Sequence, residues 1–361
     1  MATREVFALA APAKGANFER TTIERRPTGA QDVSIDIKYA GICHSDLSQA
    51  RGEWGASIFP MVPGHEIVGV VREVGEGVTK FKAGDRVGVG CMVDSCMSCK
   101  QCNLGEEMLC RNGFVATYNA KYKYDRDDGD FGKPTYGGYS SNIVVREDFV
   151  LNIPDTLELE DAAPILCAGI TTYSPLVHFG LRANQRLAVV GLGGLGYMAV
   201  RFGKAFGAHV TVFSRGIKKR DDAIKMGADD FVDSTDSADV ERVRNSFNMV
   251  INTIGVQHDP NPYVMSLDVD GIMVMVGVSP SIDLATFGLI GGRRRVAGSL
   301  IGGIAETQEC LDFCARHGIT CLTETIAPEP EAIGEAYERM LASDIKYRFV
   351  IDMASASDAK P

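Results

Sequence analysis

Up to about residue 155 the apolar positions come in short runs that alternate with polar ones, and turn residues cut them off. Period-two alternation and β-branched content predict strands at Glu5–Ala10, Val33–Ala40, Ile67–Val74, Arg86–Val89 and Tyr139–Val145. The segments PGHE and KAGD are the turns between them. Residues 119–135, NAKYKYDRDDGDFGKPT, are charged and turn-rich and read as a solvated surface excursion.

After Pro154 the period changes. Leu159–His178 reads as one helix, and apolar strands then alternate with amphipathic helices: strand Arg186–Val190, helix Gly194–Phe206, strand His209–Phe213, helix Lys218–Met226, strands Met249–Ile254 and Gly271–Val278. Such alternation predicts βαβ units and a parallel sheet covered on both faces, an α/β doubly wound arrangement. Helices return at Glu306–His317 and Glu331–Ser343, and Tyr347–Asp352 reads as a closing strand. The tail from Ala354 is small and polar and reads as frayed.

A length of 361 residues fits about two domains. With 37 basic residues against 47 acidic ones the net charge is −10, which argues against nucleic acid or an anionic membrane surface as the main partner. No apolar run reaches the roughly 18 residues of a membrane helix. Arg4 and Glu5 stand where an export signal would be apolar, so a cytoplasmic protein is expected.

Cysteine changes the picture most. Of ten cysteines, four form the series Cys96-x2-Cys99-x2-Cys102-x7-Cys110. Four thiolates at this spacing can enclose one tetrahedral zinc with no open position, a structural site. An iron–sulfur centre shares the first two gaps, but its last gap is three residues followed by proline; here it is seven followed by Arg111. Cys91, Cys310, Cys314 and Cys321 read as small buried residues. Cys43, His65 and Cys167 are dispersed, and spacing alone does not join them.

The second chemical signal is Gly191-Leu192-Gly193-Gly194-Leu195-Gly196, directly after an apolar strand and at the start of a helix. In that context the glycines permit a tight turn and close approach of a pyrophosphate to free helix N–H groups. At the end of the next strand an NAD site would carry an acid; here stand Ser214, Arg215 and Lys219, with Asp221 already on the following helix. A hydroxyl and two cations suit a 2′-phosphate, so NADP(H) is the expected cofactor. The same cluster also reads as a solvated basic helix start.

The motifs GICHSD, VPGHEIVG, the four-cysteine lobe, AAPILCAGITTYSPL, GLGGLG and KYRFVID resemble, in unbroken order from about residue 5 to 352, the zinc-dependent medium-chain alcohol dehydrogenases. Within that family the sequence is similar to the cinnamyl alcohol dehydrogenase-like aldehyde reductases. The resemblance implies a GroES-like β-rich catalytic domain from residues 1–158 and 304–361, and a Rossmann NADP-binding domain over 159–303. It also implies a catalytic zinc on Cys43, His65 and Cys167, hence two zinc ions per chain. Glu66 would be an alternating or supporting ligand, Asp46 the carboxylate that orients the histidine, and Ser45 the hydroxyl on the substrate oxygen. His44 would lie near the cofactor's pyrophosphate or ribose and Arg348 on its phosphates, in a homodimer that reduces an aldehyde to a primary alcohol.

Two positions depart from the branch. Ser48 stands where a relay histidine is usual, and the pocket tryptophan that follows the lobe is replaced by the stretch Phe114–Thr117, the one tryptophan being Trp54. The competing readings are an NAD-dependent polyol or sugar dehydrogenase, which a carboxylate after the second strand would favour, and a zinc-stabilised binding protein without catalysis.

Overall fold

A computed structural model of the chain describes residues 3–126, 128–344 and 347–358. It divides into two compact units, one made of residues 1–167 and 302–361 and the other of residues 168–301. The sequence reading set its boundaries at 158/159 and 303/304; the first structural division falls directly after Cys167.

The first unit is built on a seven-stranded mixed sheet. Its path runs Thr323–Ile326, Arg348–Asp352, Asp32–Ile42, Ile67–Val74, Arg86–Val89, Leu151–Asn152, with Asn142–Arg146 also paired to Asp32–Ile42. The long strand Asp32–Ile42 organises it: Val33, Ile35 and Ile37 are buried at alternating positions, and Ala40 is buried beyond the register shift between Ile37 and Tyr39. The C-terminal strand Arg348–Asp352 pairs antiparallel with that strand, Phe349 opposite Ile42, so both chain ends make one sheet. Arg4–Ala10 pairs with Glu19–Arg25, a strand the sequence reading missed because ERTTIER buries only Arg25 and offers no apolar stripe.

The second unit is a six-stranded, all-parallel sheet in the order Asp230–Asp233, His209–Ser214, Arg186–Val190, Phe247–Asn252, Leu267–Met275, Arg295–Gly298. Numbered along the chain this is 3-2-1-4-5-6, the doubly wound dinucleotide order, whose switch point lies between Arg186–Val190 and Phe247–Asn252. Its core joins Ala188, Val190, Phe213, Val232, Phe247, Val250 and Met273 from the strands to Tyr263 and Val264 of a helix. No helix among the described residues is long and apolar enough to cross a membrane.

Three expectations need correction. The predicted helix Leu159–His178 is three pieces: Leu159–Ala162, a 3-10 turn Ala163–Leu166, and Ala168–His178. The break is at Cys167, whose φ −130°, ψ −70° is not helical, so its thiol leaves the helical row. The excursion at 119–135 is fastened rather than simply solvated. Buried Arg26 faces Asp128 and Asp130 at 3.6 and 3.4 Å, and Arg126 donates to both oxygens of Asp94 and to Ser95 O. The tail is not frayed over Met353–Asp358, which forms a 3-10 turn with Ala354 and Ser355 amides on Asp352 Oδ1 and with Met353 and Ala356 buried. Residues 359–361 lie outside the described residues.

Candidate active site

The four-cysteine lobe is carried between Met92–Asp94 and Val115–Ala116, which pair antiparallel and bring its ends together. Within it a left-handed residue, Met97 (φ 56°), turns the chain so that a short helix, Lys100–Asn103, can start at Cys99. Sulfur separations are 3.8 Å for Cys96–Cys102, 3.6 Å for Cys99–Cys102 and 4.0 Å for Cys99–Cys110. Four sulfurs at about 2.3 Å from one tetrahedral zinc would stand about 3.8 Å apart. The donor set therefore fits zinc in chemistry and in spacing. Backbone amides support it: Cys99 N donates to Cys96 Sγ at 3.3 Å and Arg111 N to Cys99 Sγ at 3.4 Å. A backbone hydrogen bond at Ser98, with Asn112 and Cys99 adding to it, brings the Cys96 thiol down to about 5, whereas burial pushes Cys102 up to about 12.

The second cluster assembles from three separate elements. The strand Asp32–Ile42 delivers Cys43, which caps the helix His44–Ala50, and Asp46 in the first turn accepts from Cys43 N at 2.8 Å. The turn Pro63–Glu66 delivers His65; Gly64 has φ +103°, and a Cβ there would fall 2.8 Å from the Tyr139 ring. The break at Cys167 delivers the second thiol. His65 Nε2 lies 3.2 Å from Cys167 Sγ, and the two sulfurs are 4.0 Å apart. Together with a Glu66 oxygen, these donor atoms all lie within 4.8 Å of one another.

His65 Nδ1 donates to Asp46 Oδ1 at 3.1 Å, which fixes the ring and turns Nε2 toward the sulfurs. Burial pulls the imidazole down, but the charges of Asp46 and Cys91 and the hydrogen bonds to Asp46 and Cys43 together raise His65 well above its ordinary range. The Cys167 hydrogen bond, aided by the Arg348 charge, holds Cys43 well below the usual thiol range, and the same bond pushes Cys167 well above it. A cation seated here would displace the proton held on Cys167 and the one on His65 Nε2.

Glu66 is fully buried and ion-paired with Arg348, which is 6% exposed. That pairing neutralises the carboxylate and leaves two thiols and an imidazole as the free donors. Arg348 thus lies beside the thiol cluster, engaged by Glu66. Ser45 Oγ is 3.5 Å from Cys43 Sγ and half-buried, His44 is exposed, and Ser48 on the same helix is buried.

The glycine turn lies on the second unit. Arg186–Val190 ends at Gly191, φ +90°, and the helix Gly194–Ala205 starts at Gly193 with no side-chain cap. A Cβ on Gly196 would sit 2.0 Å from Gly191 O, so only glycine lets the turn close. The uncapped N–H groups of this turn lie at the sheet's switch point. Ser214 is half-buried and Arg215 exposed. Lys219 donates to Leu192 O at 2.9 Å, tying the basic segment to the glycine turn.

Residues 29–155 match the family Alcohol dehydrogenase GroES-like domain and residues 194–316 the family Zinc-binding dehydrogenase. The NADP-dependent alcohol dehydrogenase C of Mycobacterium bovis is 51% identical over 352 residues, covering 97% of this chain and 99% of that one. This chain belongs to the zinc-binding alcohol dehydrogenase family. A cinnamyl alcohol dehydrogenase structure from Sorghum bicolor superimposes with TM-score 0.94 at 41% identity, over 99% of this chain and 100% of that one. A cinnamyl alcohol dehydrogenase from Helicobacter pylori, complexed with NADP(H), gives 0.90 and 41% over 98% and 99%.

For a member of this family the sequence reading missed several neighbours of the thiol cluster. Cys91, expected as a small buried residue, is half-buried and donates to Leu166 O at 3.8 Å, next to Cys167 in the chain. Tyr118 stacks on His65 with ring centroids 5.7 Å apart, and Tyr139 and Tyr337 lie behind Asp46. Only tertiary packing brings these residues there; their sequence contexts signal a loop, a strand start and a helix.

Proposed function

We propose that this dehydrogenase reduces aldehydes to primary alcohols with NADPH, reversibly, and that it holds two zinc ions per chain. The observation that carries the reading is the convergence of Cys43, His65 and Cys167 with Asp46 behind the histidine. When bound, zinc supplies an electrophile for the carbonyl oxygen and NADPH the hydride. Two thiolates offset the charge of the cation, and Asp46, by taking the Nδ1 proton of His65 in a hydrogen bond, leaves Nε2 as the nitrogen that faces it. Ser45, beside Cys43, supplies a hydroxyl that orients the substrate oxygen and passes it a proton. The glycine turn cradles the pyrophosphate, and Ser214 and Arg215 recognise the 2′-phosphate. Lys219 still has ammonium protons for that phosphate beyond the one on Leu192 O. What supports NADP(H) is the absence of a carboxylate at the strand end and the NADP-dependent relatives.

The test compares kcat/KM for NADPH and NADH with an aldehyde. The wild type is expected to prefer NADPH by tenfold or more, about 1.4 kcal/mol or greater. Ser214→Asp should shift the preference toward NADH by a similar factor. Equal values for both cofactors in the wild type would overturn the assignment. Cys43→Ala should abolish turnover while the four-cysteine zinc stays bound.

A further inference from the structure

Asp46 is fully buried and receives more donors than one histidine requires. Oδ1 accepts from His65 Nδ1 at 3.1 Å and Gly64 N at 3.3 Å, and Oδ2 from Cys43 N at 2.8 Å and the Tyr139 hydroxyl at 3.4 Å. The two amides belong to a ligand and to the neighbour of a ligand, so the carboxylate is a hub joining both turns of the metal cluster. The Tyr139 hydroxyl is a side-chain donor from outside those turns. Behind it stands Tyr337, on the helix Pro330–Leu341, with its hydroxyl 3.4 Å from that of Tyr139.

We propose that Tyr139 and Tyr337 are positioning residues: a buried hydrogen-bond relay that fixes Asp46, and through it the His65 ligand of the metal held by Cys43, His65 and Cys167. A phenol carries one proton. Tyr139 gives its proton to Asp46, so its oxygen accepts from Tyr337, and the relay has a single direction. Burial raises both phenols well above their ordinary range, which keeps both protonated and in the donor role. The carbon–carboxylate torsion of aspartate is soft. Donors on both oxygens are what hold its plane, and the plane sets the direction of the His65 ring. Phe18 packs against both rings, at centroid distances of 5.9 and 5.7 Å, so removing a hydroxyl leaves the aromatic packing in place. The two tyrosines bring this support from the segment before the strand Asn142–Arg146 and from the C-terminal helix, far apart in sequence.

The inference rests on the metal reading above, and the test separates the two. Protein loaded with cobalt at both sites is followed by its thiolate–cobalt absorption, and release to a chelator is timed for wild type, Tyr139→Phe, Tyr337→Phe and the double variant. Removing a hydrogen-bond partner of a ligand commonly changes metal affinity about 10- to 100-fold. One step further out, Tyr139→Phe is expected to speed release from the two-thiolate site about fivefold and to shift its cobalt bands, with release from the four-cysteine site unchanged. Tyr337→Phe should act in the same direction but add nothing in the Tyr139→Phe background, because the residues act in series. Unchanged release and spectra in both single variants would overturn the relay, as would a Tyr337→Phe effect that persists in full without the Tyr139 hydroxyl. A wild type that takes up cobalt at the four cysteines only would instead overturn the metal reading.

Discussion

Within one lobe, Cys96 at about 5 and Cys102 at about 12 show how differently neighbouring thiols are prepared for the same ion. With its thiol brought down to about 5, Cys96 is expected as a thiolate at neutral pH, with no proton to lose when zinc arrives. Cys102 stays protonated through neutral pH, so zinc must displace its proton. Affinity therefore rises with pH, and below about 5 the protonation of Cys96 adds a further proton to displace. In protein lacking the second site through Cys43→Ala and Cys167→Ala, zinc affinity from chelator competition should fall more steeply below pH 5 than above it. One slope across that point would show that Cys96 is not preformed as a thiolate. The residues doing this chemistry were unequally legible. Cys96, Cys99, Cys102 and Cys110 lie within one loop, where spacing carries the geometry. Cys43, His65 and Cys167 come from a strand end, a turn and a helix break, so only the resemblance joined them. Their tyrosine neighbours left no local trace at all.

Elements formed where apolar periodicity met a sheet and failed where polar side chains made the contacts. The parallel strands Arg186–Val190 and His209–Ser214 were legible because their buried runs are continuous. The segment 119–135 was misread because its anchors are charged. Arg126 reaches Asp94 at 3.0 Å and stacks 5.4 Å from the Tyr124 ring, while the Tyr124 hydroxyl bonds Gly113 O and lies 3.7 Å from Cys110 Sγ. This segment is thus a strap over the four-cysteine lobe. Arg126→Ala leaves the carboxylate of Asp94, only 4% exposed, without its cation, and should cost about 1–3 kcal/mol of stability. It should also speed zinc loss from the four-cysteine site, measured with a chromophoric chelator. Tyr124→Phe should do so more weakly. Unchanged zinc release in both variants would return the segment to the status of a solvated loop.

At the scale of the whole molecule, the parallel sheet ends on a strand, Arg295–Gly298, which among the described residues pairs on one side only, with Leu267–Met275. Just before that strand in the chain the same unit exposes Phe287 (81%) and Ile290 (73%) on one short helix, and Val278 and Leu300 follow the two strands at this edge. An open edge beside exposed apolar side chains invites pairing with another chain. A second copy, related by a twofold axis, would continue the sheet edge to edge and bury those side chains against their own counterparts, the homodimer expected from the sequence. In such an interface each substitution acts twice. Phe287→Asp would place two carboxylates where apolar contact is needed, and burying each without a partner costs several kcal/mol. The free subunit loses nothing, since both residues are exposed within their own chain. Light scattering at micromolar concentration should therefore give twice the chain mass for the wild type and the single chain mass for Phe287→Asp with Ile290→Asp, at unchanged melting of the subunit core. A wild type of single mass, or a double variant that stays dimeric, would remove this edge as the site of assembly.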